Sequence, residues 1–512
     1  MNKPFRIAVL ADLHLPDVKE SAQAAVWEWA LTTVREDPPD LLLVAGDMTA
    51  MGTAAGATRV RDAVESLGIP YRMVPGNADV RTATDREASC RLLTAATVYQ
   101  QERVLVVSLA APEGHYSPEE QRAVSAAIAA ADGREVVVLA HYTRGAAHDD
   151  WLQPLVRSGA VSLHIAGHSH ADSVRQDGAG VWHVVRGLDP DKVQGPSPAI
   201  ALFTLRDDGW ERAEIGFTGC DPATWTQAER DEFRERLGFS CMTVTLEALA
   251  LARAEAVRCV ELRAQPALAV DQPALAAAVA AWRDSGGTTL SLHMPELFWK
   301  DGAIQGTVTW QATLALALEL GAQSLTIHPP RASVAAMQAG GEAWCSMRDF
   351  MVDSLRPAVA AGMTWSIENL HTVAGAPADD SRHYGCLPEE TLAWIAGLRA
   401  ACPDAVIGHH FDNGHARNNP PFHSPYPIAT WLAAIGHEIS GYHLHQVGMS
   451  EGRMINHIPV TQAYGGVIAY HSLFWAWHQR QVQRAPMYIE VRGGLDSIRT
   501  SLHTLRSHLD AQ

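Results

Sequence analysis

Five short blocks in the first third of the chain each end an apolar run with side chains that bind metal ions. The blocks are Asp12-Leu13-His14, Gly46-Asp47, Gly76-Asn77-Ala78-Asp79, His141 and Gly167-His168-Ser169-His170. A single Asp or His after a strand is explained as well by a turn cap or by a hydrogen-bonded polar residue. Oxygen and nitrogen donors that recur in this order, each at the end of a predicted strand, indicate the site of a metal-dependent enzyme.

Such a donor set fits a centre of two metal ions. Two ions about 3.5 to 4 Å apart require a bridging carboxylate, neutral nitrogen and oxygen ligands around each ion, and an open side for the substrate. Ions in this arrangement acidify a water molecule and neutralise the charge of a phosphate group. The chemistry that these residue types favour is therefore the hydrolysis of a phosphoester.

In order and spacing, the blocks resemble the motifs of the calcineurin-like metallophosphoesterase superfamily: Asp-x-His, Gly-Asp, Gly-Asn-His-Asp, His and Gly-His-x-His. The resemblance covers roughly residues 1 to 217 and is similar in detail to the compact cyclic-nucleotide-phosphodiesterase branch. It implies two divalent ions, Mn, Fe or Zn, and a ligand set for each. One ion would take Asp12, His14 and His170, the other Asn77, His141 and His168, and Asp47 would bridge them. Of these residues, the resemblance makes Asp47, Asn77 and His141 the catalytic ones.

One position departs from this family's pattern. Where the family has His in Gly-Asn-His-Asp, the chain has Ala78, so the usual candidate for protonating the leaving oxygen is missing. We therefore expect a preference for activated phosphodiesters, or a general acid supplied by another residue or by the substrate. The glycines before Asp47, Asn77 and His168 are expected to let the backbone turn sharply and aim each ligand inward.

The second part of the chain ends a further series of apolar runs with ligand-type residues. Eight runs separated by helical patterns begin near Gly238, which is the size and rhythm of a (β/α)8 barrel, whose active site lies at the C-terminal strand ends. The residues at or just past those ends are His293, His328, Glu368, Asp412, His443 and Glu490. Buried carboxylates are costly without a cation, so this set favours a second metal site.

The barrel resembles the superfamily of xylose-isomerase-like enzymes, which holds sugar isomerases and epimerases together with the endonuclease IV type of AP endonuclease. In the sugar enzymes the set Glu368, Asp412, His443 and Glu490 would hold one divalent ion, Mn, Zn, Mg or Co, and Glu368 and Glu490 would move a proton beside a carbonyl. The endonuclease branch builds a three-ion site and needs more histidines. Candidates for additional metal or substrate contacts are His293, His328, His415 and His457.

The third ion of that branch is in doubt, because Asn456 stands beside His457 where an Asp would be expected. An Asp-x-x-His pair such as Asp412 and His415 occurs in both branches and does not distinguish them. Four further histidines are interpreted as strand-end polarity or support for the ligands. They are His371, His409, His410 and His445.

The elements that must position these residues define two folds. Apolar runs in residues 1–217 alternate with amphipathic segments such as 21–34 and 121–131, which predicts a layered α/β domain. With the resemblance, the expectation is a four-layer α/β metallophosphoesterase sandwich over 1–217, a linker helix over 218–237 and an (β/α)8 TIM barrel over 238–512.

Composition excludes several classes of protein. The formal charge is −17, and neither the part before nor the part after residue 217 carries a basic excess, which counts against a nucleic-acid-binding protein. The seven cysteines are scattered and never spaced Cys-x-x-Cys, so a reducing compartment fits better than a disulfide framework. No signal peptide or membrane span is evident, so we expect a cytoplasmic protein without a membrane partner. The oligomeric state cannot be derived from the sequence.

Three hypotheses follow for function. The first is a bifunctional metalloenzyme in which a phosphodiesterase or phosphatase is fused to a barrel acting on a sugar or sugar phosphate. The second is a DNA-repair nuclease whose barrel resembles an AP endonuclease. The third is a phosphoesterase whose barrel is a structural or binding module.

Overall fold

The computed structural model describes residues 3–142 and 151–510. The chain divides into two compact units, Met1–Asp221 with Ala469–Ser472, and Pro222–Ile468 with Leu473–Gln512. Within the described residues, no helix is both long enough and apolar enough to cross a membrane. All seven cysteines are free.

The first unit contains strands and helices in alternation. Its strands are β1 (Phe5–Leu10), β2 (Leu41–Ala45), β3 (Tyr71–Val74), β4 (Val98–Gln100), β5 (Val104–Leu109), β6 (Glu135–Ala140), β7 (Leu163–Ala166), β8 (Ser173–Asp177), β9 (Gly180–Val184), β10 (Ala199–Arg206) and β11 (Gly209–Gly216). Its helices are α1 (Ala22–Glu36), α2 (Ala54–Glu65), α3 (Arg86–Leu92), α4 (Pro118–Ala129) and α5 (Gln153–Arg157), with 3-10 turns at Ala78–Val80 and Thr218–Cys220.

These elements form two sheets covered by helices. One sheet has the order β11-β10-β1-β2-β3 and the other the order β4-β5-β6-β7-β9-β8. Apolar side chains of both sheets pack face to face, for example Ile7 and Leu43 with Val106 and Ile165. The outer faces pack against α1 and α2 on one side and against α4 and α5 on the other. The four-layer sandwich predicted from the sequence is confirmed.

Sequence signals at the helix starts explain where the helices of the first unit begin. The Oγ of Ser21 accepts a hydrogen bond from the Ala24 N–H at the start of α1. Ser117 and Glu120 form a capping box ahead of α4, and Pro118 occupies the first helical position. These caps satisfy free N–H groups of the first turn, so each helix begins directly after its capping residue.

The second unit is built from β/α repeats. Its strands are β12 (Leu237–Cys241), β13 (Cys259–Arg263), β14 (Thr289–His293), β15 (Phe298–Lys300), β16 (Ala303–Gln305), β17 (Ser324–Ile327), β18 (Thr364–Glu368), β19 (Ile407–Asp412), β20 (Ile439–Leu444), β21 (Gln446–Ser450), β22 (Arg453–Ile458) and β23 (Met487–Ile489). Its helices are α6 (Gln227–Arg236), α7 (Thr245–Ala254), α8 (Ala264–Ala269), α9 (Gln272–Asp284), α10 (Thr307–Glu319), α11 (Glu342–Ser354), α12 (Arg356–Ala360), α13 (Pro388–Ala401), α14 (Asn413–Arg417), α15 (Ile428–Ile435), α16 (His471–His478) and α17 (Gly494–Asp510), with 3-10 turns at Pro222–Thr224 and Gly436–Glu438.

Eight parallel strands close into a barrel in the order β12-β13-β14-β17-β18-β19-β20-β23. β23 pairs with both β12 and β20, which completes the ring. The (β/α)8 barrel predicted from the sequence is confirmed. The other four strands form two hairpins, β15 with β16 and β21 with β22, that lie outside the ring.

Some strands have no apolar run, so the hydrophobic pattern of the sequence does not predict them. β8 is exposed along most of its length, and β11 alternates between exposed and half-buried residues. Their positions are fixed by ladder hydrogen bonds to β9 and β10, which are buried strands. Edge strands of this kind carry a weak hydrophobic signal because only one face, or none, is covered.

Candidate metal centres

The predicted ligands of the first unit sit in the loops that follow its central strands, in a backbone conformation that few residues adopt. Five of them have a positive φ between 48° and 73°. They are Asp12, His14, Asp47, His168 and His170. Non-glycine residues in this left-handed region carry strain of the order of 1 kcal/mol or more, and strain of this kind concentrates at functional sites. The turns direct these side chains toward one another at the strand ends.

The glycines of the motifs serve two different purposes. Gly46 has φ +86°, so it provides the sharp turn that the sequence predicts. Gly76 and Gly167 have no such φ, and the expected reason does not apply to them. A Cβ on Gly76 would collide with Oδ1 of Asp47, and one on Gly167 would lie 2.5 Å from Oδ2 of Asp12. These two glycines leave room for the carboxylates.

Two groups of donor atoms result. Asp12, His14 and His170 form one group, and Asp47, His141 and His168 form the other; in each group the ligand atoms lie within 4.8 Å of one another. Oδ2 of Asp47 is 3.6 Å from Nε2 of His14 and 3.5 Å from Nε2 of His141. One carboxylate thus faces both groups.

Asn77 lies beside the second group. Its Oδ1 is 3.4 Å from Nε2 of His141 and 3.1 Å from the hydroxyl of Tyr142. Asp79 does not face the donors. Its carboxylate accepts hydrogen bonds from the N–H groups of Thr49 and Gly76 at 2.8 and 2.9 Å, so it ties together the loops that carry the ligands.

Electrostatics of the first group favour a bound cation. Burial lowers the pKa of both His14 and His170 well below the usual range, so both rings are neutral. Their Nε2 atoms face each other at 3.3 Å. Burial raises the pKa of Asp12 to about 8, although both of its oxygens accept from the His168 N–H. A cation among these atoms would offset the cost of burying the carboxylate, so the residues present fit a metal ion.

In the second group, Asp47 and His141 shift each other's pKa in opposite directions. Burial opposes protonation of His141, but the carboxylate of Asp47 outweighs it and raises the pKa of His141 to about 9. Burial likewise opposes ionisation of Asp47, and His141 nevertheless holds its pKa well below the usual range. Nδ1 of His141 lies 2.8 Å from the Ala45 carbonyl oxygen, which leaves Nε2 as the atom that faces the other donors.

Ala78 is fully buried, and its N–H donates to Oδ1 of Asp47 at 2.6 Å. Its methyl group cannot transfer a proton, so the departure from the family's pattern persists in three dimensions. Tyr142 brings a hydroxyl group to the same loop and hydrogen-bonds Asn77 Oδ1 and the Pro112 carbonyl oxygen at 3.1 and 3.0 Å.

In the second unit, the predicted residues also converge at the C-terminal strand ends. His443 on β20 lies at the centre, and its Nδ1 atom faces three buried carboxylates. The facing oxygens are Glu368 Oε1 at 3.3 Å, Glu490 Oε2 at 3.3 Å and Asp412 Oδ2 at 3.7 Å. Three carboxylates around one imidazole nitrogen require compensating positive charge, which a divalent ion supplies well. These donors therefore fit a metal ion.

A second set of donors shares Glu368. Its Oε2 atom is 3.2 Å from Nε2 of His293 and 3.2 Å from Nε2 of His328. Nδ1 of His293 lies 3.0 Å from the Met294 carbonyl oxygen, and Nδ1 of His328 lies 3.1 Å from Glu296 Oε1. Each ring is anchored on one nitrogen and presents the other to Glu368, as in metal sites whose second ring nitrogen is hydrogen-bonded.

Three more histidine rings cluster beside Asp412 and Glu490. The ring centroids of His445 and His457 are 4.4 Å apart, and that of His415 is 5.7 Å from His457. Nε2 of His445 lies 3.1 Å from Asp412 Oδ1. His445, interpreted from the sequence as support, thus lies as close to a predicted ligand as His415 and His457 do.

The other histidines interpreted as support differ in position. His410 lies beside Glu261 and His443, with donor atoms within 4.8 Å. His371 packs against His415 with ring centroids 4.7 Å apart. His409 is fully buried, and its ring contacts Trp431.

Cavities in the second unit lie beside some of these histidines. One, of about 520 Å³, is lined by Arg263, Gln265, His293, Glu296, Phe298 and His328. Another, of about 640 Å³, is lined by Arg331, His371, Thr372, Val373, Arg382 and His383. Arg263 also forms an ion pair with Glu490. Both volumes suit a small substrate.

The sequence of the first unit matches the calcineurin-like phosphoesterase superfamily domain over residues 5–208. This stretch is a calcineurin-like phosphoesterase domain. The resemblance recognised from the five motifs is confirmed. A comparison of the chain with curated protein sequences gave no match.

Three solved structures are similar to parts of the chain. A putative xylose isomerase from Rhodospirillum rubrum is 15% identical, with a TM-score of 0.44, and the match covers 54% of this chain and 99% of that one. A D-tagatose 3-epimerase-like protein is 15% identical over 54% of this chain and 97% of that one, with a TM-score of 0.39. GAP50, the anchor in the inner membrane complex of Plasmodium, is 13% identical over 42% of this chain and 84% of that one, with a TM-score of 0.33.

Sequence reasoning missed several residues that touch the predicted ligands, and three of them lie at the centre of the donor groups. They are Tyr142 in the calcineurin-like domain and Glu261 and Arg263 on β13. Tyr142 follows His141 directly, so its adjacency to a motif was a usable signal. Glu261 lies within an apolar strand, and a charged residue in the middle of a buried barrel strand was the signal that could have found it.

We expect Gly76→Ala to reduce metal binding by the calcineurin-like domain by at least about 10-fold, because the added Cβ would displace the Asp47 carboxylate. Metal content and dissociation constants of the purified variant measure the effect. Gly133→Ala is the control, since a Cβ there meets nothing within 4 Å; its φ of +76° means that this control carries backbone strain that Gly76→Ala does not. Equal metal binding by both variants would show that Asp47 does not need the space that Gly76 leaves.

Proposed function

We propose that the calcineurin-like domain is a two-ion phosphoesterase that hydrolyses a small phosphodiester or a nucleotide. The observation that carries this proposal is the position of Asp47, whose Oδ2 atom faces His14 at 3.6 Å and His141 at 3.5 Å. A carboxylate shared by two donor groups is what a bridged pair of ions requires. The match to the phosphoesterase family supports the same reaction.

In this proposal each predicted ligand has a defined task. Asp12, His14 and His170 hold one ion, Asn77, His141 and His168 hold the other, and Asp47 bridges them. The ions would be Mn, Fe or Zn, which imidazole and carboxylate ligands suit. When bound, they lower the pKa of water and neutralise phosphate charge. Tyr142 holds Asn77 through its hydroxyl group.

We further propose that the barrel binds divalent ions, Mn, Zn, Mg or Co, and is a second catalytic unit. Glu368 faces His293 and His328 with one oxygen and His443 with the other. A carboxylate between two donor sets supports a centre of more than one ion, as in the endonuclease IV type of barrel. Because centres of this kind hydrolyse phosphoesters, we propose that reaction for the barrel. The negative charge of the chain favours a small phosphoester over a nucleic acid as substrate.

A sugar or sugar-phosphate isomerase or epimerase is the second candidate for the barrel. Glu368 and Glu490 each approach Nδ1 of His443 to 3.3 Å, so two carboxylates converge on one ion position. Two carboxylates so placed could remove a proton beside a carbonyl group and return it. A barrel that only binds a ligand would need none of these buried acids, and their desolvation argues against that third possibility.

We predict that the two units act independently. Asp47→Asn should lower hydrolysis of aryl phosphodiesters and cyclic nucleotides by on the order of 100-fold or more, because it removes the shared ligand, and should leave any reaction of the barrel unchanged. Glu368→Gln should do the reverse. Rates are measured on a panel of phosphodiesters and sugar phosphates, with the exposed Asp62→Asn and the peripheral Glu255→Gln as controls. Equal loss of the same activity in both variants would refute independent sites.

His328→Ala should distinguish the two candidates for the barrel. It removes a donor of the second set and leaves Glu368, Asp412, His443 and Glu490 in place. If the barrel hydrolyses phosphoesters with more than one ion, this activity falls by at least about 10-fold and one ion is lost. Retention of full isomerase activity in the variant would instead establish the one-ion alternative.

Ala78→His is predicted to restore a proton donor to the calcineurin-like domain. Hydrolysis of alkyl phosphodiesters, whose leaving groups need a proton, should rise by at least about 10-fold, whereas nitrophenyl esters should change little. The dependence of kcat on leaving-group pKa measures the difference. Ala78→Gln, of similar size but without a titrating ring, is the matched control. An unchanged slope in Ala78→His would mean that another group already donates the proton.

A further inference from the structure

Glu261 is a fully buried acid at the middle of β13, two residues before the C-terminal end of that strand. Ser240 Oγ donates to its Oε1 at 2.8 Å, and Thr326 Oγ1 donates to its Oε2 at 2.5 Å. These hydroxyl groups belong to β12 and β17. The acid is therefore held from neighbouring and more distant strands of the barrel.

Oε1 of Glu261 also meets Nε2 of His443 at 2.8 Å. An ionised carboxylate accepts hydrogen bonds and donates none, so Nε2 of His443 must carry the proton. The opposite ring nitrogen, Nδ1, is the atom that faces Glu368, Asp412 and Glu490. The contact thus decides which nitrogen is presented to the proposed metal position.

We propose that Glu261 is a positioning residue that accepts the Nε2–H of His443 and so fixes the tautomer and ring orientation in which Nδ1 binds the metal ion. This inference rests on the proposed metal centre of the barrel. Carboxylate partners of ligating imidazoles raise the basicity of the ring and hold it in place, and their removal typically weakens metal binding by roughly 10 to 100-fold.

Glu261 could itself be a ligand, because its donor atoms also group with those of His410 and His443. The hydrogen bonds argue otherwise. Both of its oxygens already accept from hydroxyl groups, and Thr326 Oγ1, one of these donors, also lies 3.3 Å from His410 Nδ1. The carboxylate already accepts three hydrogen bonds, two on Oε1 and one on Oε2, which suits an acceptor that orients a ring better than an ion ligand.

The test is metal titration of the full chain in an Asp47→Asn background, so that the calcineurin-like domain contributes equally to every arm. Mn²⁺ or Zn²⁺ is added to chelator-treated protein, and the stoichiometry and dissociation constants are measured. Glu261→Gln should weaken the ion held by His443 by roughly 10 to 100-fold and spare the ion at His293 and His328. Gln retains the volume of Glu but can offer an N–H to Nε2, which releases the tautomer.

Glu255→Gln is the matched control, since Glu255 also accepts from a histidine Nε2, that of His503, at 2.8 Å, far from the predicted ligands in sequence and more exposed to solvent. Thr326→Val is a second, nearly isosteric variant that frees one oxygen of Glu261 and should weaken the same ion several-fold. It decides the question if Glu261→Gln does not fold. Visible absorption of the Co²⁺ form gives a spectroscopic readout of the ligand set that a loss of stability alone would not change.

The outcomes separate the two proposals. If the Asp47→Asn parent binds no ion at the barrel, the proposed metal centre fails, and the inference fails with it. If the parent binds and Glu261→Gln and Thr326→Val bind as tightly as Glu255→Gln, the metal centre stands and the role of Glu261 is refuted. Selective weakening of one ion in both variants would establish the positioning role.

Discussion

Buried carboxylates at the ends of parallel strands are the constraint on which both units depend. Asp12 and Asp47 in the calcineurin-like domain, and Glu368, Asp412 and Glu490 in the barrel, are at most 2% exposed. Taking an ionised carboxylate out of water costs several kcal/mol unless charge and hydrogen bonds compensate for it. Imidazole nitrogens surround each of these acids, so the donors form interdependent groups in which no member can be removed without cost to the rest.

The two folds bring the acids together by different means. In the calcineurin-like domain, short loops with left-handed residues such as Asp12 and Asp47 turn the side chains inward after each strand. In the barrel the ligands lie on or just after the strands, and the register of the parallel strands places them side by side. Asp412 pairs directly with His443, and Glu368 with His410. Strain positions the first site, whereas strand alternation positions the second.

This difference explains how much could be predicted from the sequence. Motifs such as Gly-Asp and Gly-His-x-His are local, so their spacing predicts both the strand ends and the side chains that meet there. The barrel was predictable as eight apolar runs, and its strand-end acids as well, because the C-terminal strand ends of a barrel share one face. The assignment of an ion to each donor remains a prediction for both units.

What the sequence could not predict depends on contacts between distant strands. Glu261 and His443 are far apart in the chain, and only the closed ring of strands places them 2.8 Å apart. The proximity of His445 to Asp412 arises in the same way, from pairing of β19 with β20. The expected role of Gly76, a sharp backbone turn, is wrong. Its real constraint is the Asp47 carboxylate from another loop, which the local sequence does not show.

Several histidine rings of the barrel are held by hydrogen bonds to a carbonyl oxygen or an acid, whereas two of those in the calcineurin-like domain are not. This difference affects how tightly each donor group would hold an ion. In the barrel, His293, His415 and His445 each direct Nδ1 to a backbone carbonyl oxygen at 2.9 to 3.0 Å, and Glu261 holds His443. Rings fixed in this way lose little freedom when an ion binds, which favours affinity.

In the calcineurin-like domain, within the residues that the structure describes, Nδ1 of His14 and of His170 has no hydrogen-bond partner. These two rings stack with centroids 5.1 Å apart, so packing and backbone strain, rather than a buried acid, orient them. An ion held by Asp12, His14 and His170, as proposed, would therefore exchange more readily than one held at His443, where the donors are hydrogen-bonded in place.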